Sequence, residues 1–473
     1  MTNNLPPGFA QGRIIFWSVA SALAGFLFGF DTVVISGAEK TIQSLWNLND
    51  IVHGIAMGSA LYGTVLGALF GGWPTDRWGR RPTLLWIGLL YIISAVGAGL
   101  AQDVYMFIFA RALGGLGIGI STVVAPLYIS EIAPPKYRGR LAGMFQFNIV
   151  FGIMVAYLSN AILASESLGI GANAWRWMLG VAAFPSIIYT VLCFWIPESP
   201  RWLIARKGDR EAGIAVLGLI QPGSTPGELE AKAGEIAATP SGQLASGRFW
   251  TRELRIPILL AFLVAFFNQL SGINGILYFA PRIFLNAGLE KEAAMLNSVG
   301  IGLTNFLFTF VGLWLIDRAG RRTLLYLGSF GYILSLGMTS WAFFTGHSSI
   351  VPVCLFAFIA SHAVGQGAVI WVFISEIFPT RHRAEGQTLG CFTHWVFCAL
   401  LVTCFPAIDK LVPTGYIFAF FCGMMVLQLI WVKMMVPETK GVPLEQMMER
   451  LTGKPALEKG ADLLGPKPGG VSL

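Results

Sequence analysis

Twelve apolar stretches, each long enough to cross a bilayer, limit what this chain can fold into. A helix needs about 20 residues to traverse the hydrocarbon core. Runs near that length lie at 14–38, 51–73, 83–101, 104–127, 140–163, 177–196, 256–285, 295–316, 323–344, 351–375, 386–406 and 415–436. Lipid offers the backbone no hydrogen bonds, so each run must satisfy its own, which selects the α-helix. The expectation is an all-α membrane protein of twelve spans. With 55% hydrophobic and 12% charged residues, the 473-residue chain has too little polar surface to cover a soluble globule. The first run is too long for a signal segment and has no small-residue cleavage site, so it is expected to stay as a span.

A net charge of +7 suggests an acidic partner, but the cations sit in short loops between apolar runs, and no nucleic-acid partner is expected. One set of loops carries Arg77, Arg80, Arg81, Lys136, Arg138, Arg140, Arg201, Arg206, Lys207, Arg318, Arg321, Arg322, Arg381 and Arg383. The opposite set offers mainly Lys40, Lys291 and Lys410. Cationic loops stay in the cytoplasm, which puts both termini there. The six cysteines lie in or beside apolar segments without metal-ligand spacing and read as packing residues. Neither a metal, a cofactor nor a nucleophile and base set for catalysis is legible, so an enzyme is not expected.

The chain repeats itself. GGWPTDRWGRR from Gly71 returns as GLWLIDRAGRR from Gly312, offset 241; EIAPPKYR from Glu131 returns as EIFPTRHR from Glu376, offset 245. PESPR from Pro197 returns as PETKG from Pro437, offset 240. Three motifs sharing one offset indicate a duplicated unit. Two six-helix halves are expected, residues 1–196 and 254–436, joined by a polar cytoplasmic linker at 197–253 with two helical stretches and followed by a tail at 437–473. Such paired halves rock about a central site in transporters.

These motifs resemble the sugar porter branch of the major facilitator superfamily. The resemblance rests on D-R-x-G-R-R after spans two and eight, PESPR, PETKG, RALGGLGIG from Arg111, YISEIAPPKYRG from Tyr128 and QLSGIN from Gln269. It covers nearly the whole chain and implies a major facilitator fold, with transport of a sugar across a plasma (inner) membrane and a single chain as the working unit.

Several charges have a physical reading of their own. Glu131 and Glu376 each end a span with Arg138 and Arg383 seven residues on, and each half adds an arginine pair, Arg80 with Arg81 and Arg321 with Arg322. Guanidinium forks grip carboxylates, so these sets are expected to pin helix ends when the inner mouth shuts. Asp76 and Asp317 are expected to favour a nearby helix N-terminus. The alternative is that the arginines serve orientation only.

A sugar is a ring of hydroxyls with apolar faces, so its site needs amides and aromatic plates. Gln146, Asn148, Asn268, Gln269, Asn274 and Asn305 interrupt apolar runs, and Phe28, Tyr278, Phe279, Trp371 and Trp395 offer plates. Any one of them also suits ordinary packing. The resemblance implies sugar contacts for Gln146, Gln269, Asn274, Asn305 and Trp371. The chain departs from the family's common pattern at Asn268, Phe279, His394 and Ile153. Straight-helix counting puts Gln146 and Asn274 at different depths, so a shared site requires tilt or a break in span seven, which Gly272 and Gly275 permit.

Asp31 interrupts the first apolar run, where a charged carboxylate costs about 2.5 to 3.5 kcal/mol by insertion scales. Arg111 stands alone in the fourth. Each lies seven residues from the outer end of its run, about 10 Å deep at 1.5 Å per residue, so the two can meet. Desolvation favours the neutral acid and an adjacent guanidinium the charged one; a carboxylate alternating between these conditions loads and releases protons. In the family, proton symporters carry Asp and Arg at these places. The expectation is a proton-coupled symporter importing a hexose or pentose. A passive facilitator is the nearest alternative, a cyclitol symporter or a nontransporting sensor the remoter ones, and a static Asp31–Arg111 pair the structural one.

Overall fold

The apolar runs become helices in the computed structural model, which describes residues 7–134, 137–238, 248–379, 382–442 and 444–452. The side chains of 7–11, 138, 139, 142, 444, 445, 448 and 452 lie outside the described set, as do Lys136 and Arg381. The first six spans are Pro7–Val34, Asp50–Phe70, Arg80–Gly99, Val104–Ile132, Arg138–Leu163 and the pair Ala174–Gly180 with Ala183–Cys193. The second six are Arg255–Leu270 with Ile273–Asn286, Lys291–Ala319, Arg321–Thr345, Val351–Val364 with Gln366–Ile377, Arg383–Leu411 and Thr414–Met435. Among the described residues eleven spans are long and apolar enough to cross a membrane. The twelfth, the ninth in order, is a 25-residue helix diluted by Gly, Ser and Thr.

Packing follows the duplication. Span one lies against span five and span seven against span eleven; span three lies against span four and span nine against span ten. The halves meet where span two packs on span eleven and span five on span eight, two seams that exchange when one half is mapped onto the other. Small residues make these approaches possible. A methyl group on Gly29 would overlap the backbone of Ile149, and one on Gly115 would overlap that of Ala60.

The linker is helical at Pro200–Trp202, Leu203–Lys207, Arg210–Ile220 and Pro226–Ala238. Thr225 and Glu228 cap the last piece reciprocally, the Thr225 amide donating to the Glu228 carboxylate at 2.8 Å and the Glu228 amide to the Thr225 hydroxyl at 3.3 Å. The linker hangs beneath the first half: Trp202 Nε1 donates to the Asp76 carbonyl at 2.8 Å, and Arg206 pairs with Asp76 at 3.2 Å. The tail continues as a helix, Leu444–Thr452, against spans seven and ten.

Candidate transport site

Span seven breaks where the sequence allows it. Its first helix ends at Leu270 and its second begins at Ile273, with Gly272 at φ 86°. Any larger residue there would suffer left-handed strain, and its Cβ would stand 2.5 Å from the Phe421 ring. The break lets residues of different nominal depth face one space, a cavity of about 490 Å³ between the halves.

Seven of the nine residues expected to hold substrate line it: Phe28, Gln146, Asn268, Asn274, Asn305, Trp371 and Trp395. Gln146 and Asn274 do share the space despite their different counts along straight helices. Ile153 also lines it. Gln269 and Tyr278 stand behind the wall, both fully buried. The Gln269 Nε2 group donates to Asn268 Oδ1 at 2.9 Å and faces the His394 ring at 3.1 Å, and its Oε1 accepts from Asn274 Nδ2 at 2.8 Å. It therefore aims three wall residues and touches no space itself. Asn148 spends its amide on the Met144 carbonyl one turn back, at 2.8 Å.

The aromatic side of the cavity is a ladder. Phe28 sits 5.5 Å from Trp395, Trp395 4.8 Å from His394, and His394 5.3 Å from Trp371, ring centre to ring centre. Two wall residues, His394 and His362, are not among the contacts expected from the sequence. His362 is anchored by a 2.8 Å hydrogen bond to the Tyr332 hydroxyl. Each is an ionisable side chain inside an apolar run, the one signal that could have found it, though it carries no spacing pattern.

Asp31 and Arg111 are in direct contact. Arg111 Nη1 donates to Asp31 Oδ1, and its Nη2 donates to the Asp31 carbonyl at 3.0 Å. Arg111 is 1% exposed and Asp31 5%. Among the described residues the second carboxylate oxygen, Oδ2, has no hydrogen-bond partner. Thr32, the next residue, lines the cavity.

The charges at the ends of the helices pair differently from expectation. Glu131 is gripped in fork geometry by Arg80, with Nε and Nη2 each at 2.9 Å, and Glu376 by Arg321 at 3.0 and 2.8 Å. Arg383 takes no part, its Nε having no partner among the described residues, and the side chain of Arg138 lies outside them. Closeness in sequence is misleading here. Arg138 and Arg383 start new helices beyond a proline-containing turn, whereas Arg80 and Arg321 project from neighbouring helices onto the glutamates. Asp76 and Asp317 cap no helix start among the described residues; they pair with Arg80 at 3.5 Å and Arg321 at 3.3 Å. The acids at the starts of the Arg80 and Arg321 helices are Glu198 and Glu438 of the PES and PET motifs. Glu198 accepts from the Arg80 amide at 2.9 Å, and Glu438 from the Arg321 and Arg322 amides at 2.9 and 3.1 Å. Burial pushes the Glu198 carboxyl above its usual range, against the pull of the amides from Ser199, Arg80 and Arg81. Arg81 and Arg322 reach the Phe194 and Lys433 carbonyls at 2.8 and 2.9 Å. None of these pairs bridges the two halves.

A family model described as sugar (and other) transporter matches residues 17–451. The chain belongs to the sugar transporter family. It is similar to the glucose transport protein of Synechocystis, 34% identical with 92% of this chain and 97% of that one covered. It is 33% identical to the arabinose-proton symporter of Bacillus subtilis, over 93% and 95%. Among solved structures it resembles the inward open conformation of the xylose transporter XylE from E. coli, with a TM-score of 0.81, 28% identity and coverage of 93% and 100%. The chain thus shares the twelve-helix, two-half fold of sugar transporters, and its family and structural neighbours are transporters.

Proposed function

We propose that this sugar transporter imports a monosaccharide, hexose or pentose, together with a proton, by alternating access and as a single chain in the plasma (inner) membrane with both termini cytoplasmic. The observation that carries the reading is the buried Asp31–Arg111 pair beside the cavity, with one carboxylate oxygen left unbonded among the described residues. Such an oxygen is where a proton attaches when the guanidinium withdraws. The names of relatives support coupling, since they include arabinose-proton and D-xylose-proton symporters.

The cavity supplies the other half of the scheme. Asn268, Asn274, Asn305 and Gln146 present donors and acceptors to hydroxyls, while Trp371 and Trp395 cover apolar ring faces. The helix-end arginines and glutamates then serve as clamps that keep each half rigid during the rocking motion.

The test is uptake by proteoliposomes with and without an imposed pH gradient, across a panel of monosaccharides and cyclitols. Wild type concentrates its sugar only with the gradient, and sugar addition alkalinises the outside. Asp31→Asn loses accumulation and keeps sugar exchange. Accumulation by Asp31→Asn refutes the role of Asp31 in coupling, whereas uptake by wild type without proton movement refutes the coupling itself and leaves a passive carrier.

A further inference from the structure

Among the described residues, the charge pairs that bridge the two halves lie on the face opposite the termini. Glu39, in the short helix Glu39–Leu45 after span one, accepts from Arg282 of span seven through Nε on Oε1 and Nη2 on Oε2, both at 2.8 Å. His53 of span two meets the same Glu39 Oε2 at 3.0 Å. An ionised carboxylate only accepts, so Nε2 of His53 carries the donated hydrogen and Nδ1 is the bare nitrogen. That nitrogen is buried and has no partner among the described residues. Glu39 is 2% exposed, His53 0% and Arg282 8%.

The surrounding charges complete a circuit. Arg282 also donates to Gln43 at 2.6 Å and stands 3.9 Å from Asp409 of span eleven. Gln43 donates to Asp50 at 3.3 Å, and Lys410 pairs with Asp50 across the halves at 3.0 Å. Beneath this circuit the halves are further joined where the Tyr157 hydroxyl donates to the Leu277 carbonyl at 2.6 Å. Closed in this way, Glu39 stays charged. Burial works to raise its pKa, but hydrogen bonds from His53 and the charge of Arg282 outweigh that and hold it below the usual carboxylate range.

We propose that Glu39, His53 and Arg282 form the outer gate of the carrier and a second proton site: opening the outer mouth carries Arg282 away, and a proton on the Glu39–His53 pair replaces it. The proposal rests on the alternating-access reading above. Glu39 and His53 belong to the first half and Arg282 to the second, so rocking must separate them. A buried carboxylate stripped of its cation is costly unless neutralised. A proton at Nδ1 of His53 turns the imidazole into a cation already seated against Glu39, restoring balance. External acid therefore favours the open outer mouth, and closure expels the proton as the guanidinium returns.

The test is hydrogen–deuterium exchange on the full chain in lipid nanodiscs, read over residues 35–50 and 276–288 on the outer face. Lowering pH from about 7.5 to about 5.5 raises exchange there in wild type after correction for intrinsic rates. Glu39→Gln and Arg282→Gln raise it at both pH values, shifting the outward-to-inward ratio about tenfold or more, and abolish the pH response. Arg282→Lys, which keeps the charge, falls between them and wild type. His53→Asn stays closed at both values. Unchanged outer-face exchange in Glu39→Gln and Arg282→Gln overturns the gate; an intact pH response in His53→Asn overturns the proton site. Proton flux on sugar addition, measured on the same wild-type protein, separates these outcomes from failure of the symport reading.

Discussion

Gln269 shows how a residue can govern a site it does not touch. Its amide fixes Asn268, Asn274 and His394 at once, and nothing of it faces the cavity. Gln269→Leu leaves those groups free to rotate or bond one another. Losing a buried hydrogen-bonded group costs about 1–3 kcal/mol, so KM for sugar is expected to rise roughly 5- to 100-fold with a smaller change in kcat. Sugar-dependence of initial exchange rates checks this. The sequence offers Gln269 as a contact through the family resemblance and as an amide in an apolar run, and the fold places it behind the cavity wall. His362 and His394 are hard to find for the converse reason: a single histidine carries no spacing pattern, and its partners, Tyr332 and Gln269, lie on other helices.

At the level of elements, apolar length places the ends of all twelve helices to within seven residues, because crossing a membrane is a one-dimensional constraint. The break in span seven is also legible, since Gly272 and Gly275 flank Asn274. Gly272→Val should therefore be poorly tolerated. Left-handed backbone costs an ordinary residue about 1–2 kcal/mol, before the clash with Phe421 is counted. The thermal midpoint is expected to drop by a few degrees and uptake to fall, as scanning fluorimetry and transport assays can show. Partner choice between elements is not legible. Glu131 has Arg138 seven residues away and Arg80 on another helix, and the fold selects Arg80. Glu198 likewise caps a helix that begins over a hundred residues earlier in the chain. Sequence distance carries no information about such pairings once helices pack side by side.

For the molecule as a whole, the duplication foretells the two six-helix halves, and the fold alone shows which spans make the seams between them. It cannot foretell the charges on the outer face, because Glu39, His53 and Arg282 belong to no repeated motif. Their effect on stability has a definite sign. Glu39 has its pKa lowered in the folded state, so its contribution is present above the ordinary glutamate value and is lost as pH falls through the lowered one. Melting midpoints of wild type and Glu39→Gln are thus expected to differ at neutral pH and to converge in acid. A constant gap at every pH contradicts this.

The fork-shaped grips of Arg80 on Glu131 and Arg321 on Glu376 each close within their own half. On the proposed rocking cycle nothing in them has to give way, so there they would be the stiffening ribs of two levers and not the catch between them. Damage to a rib should then make each stroke sloppy, whereas damage to the catch should leave the door ajar.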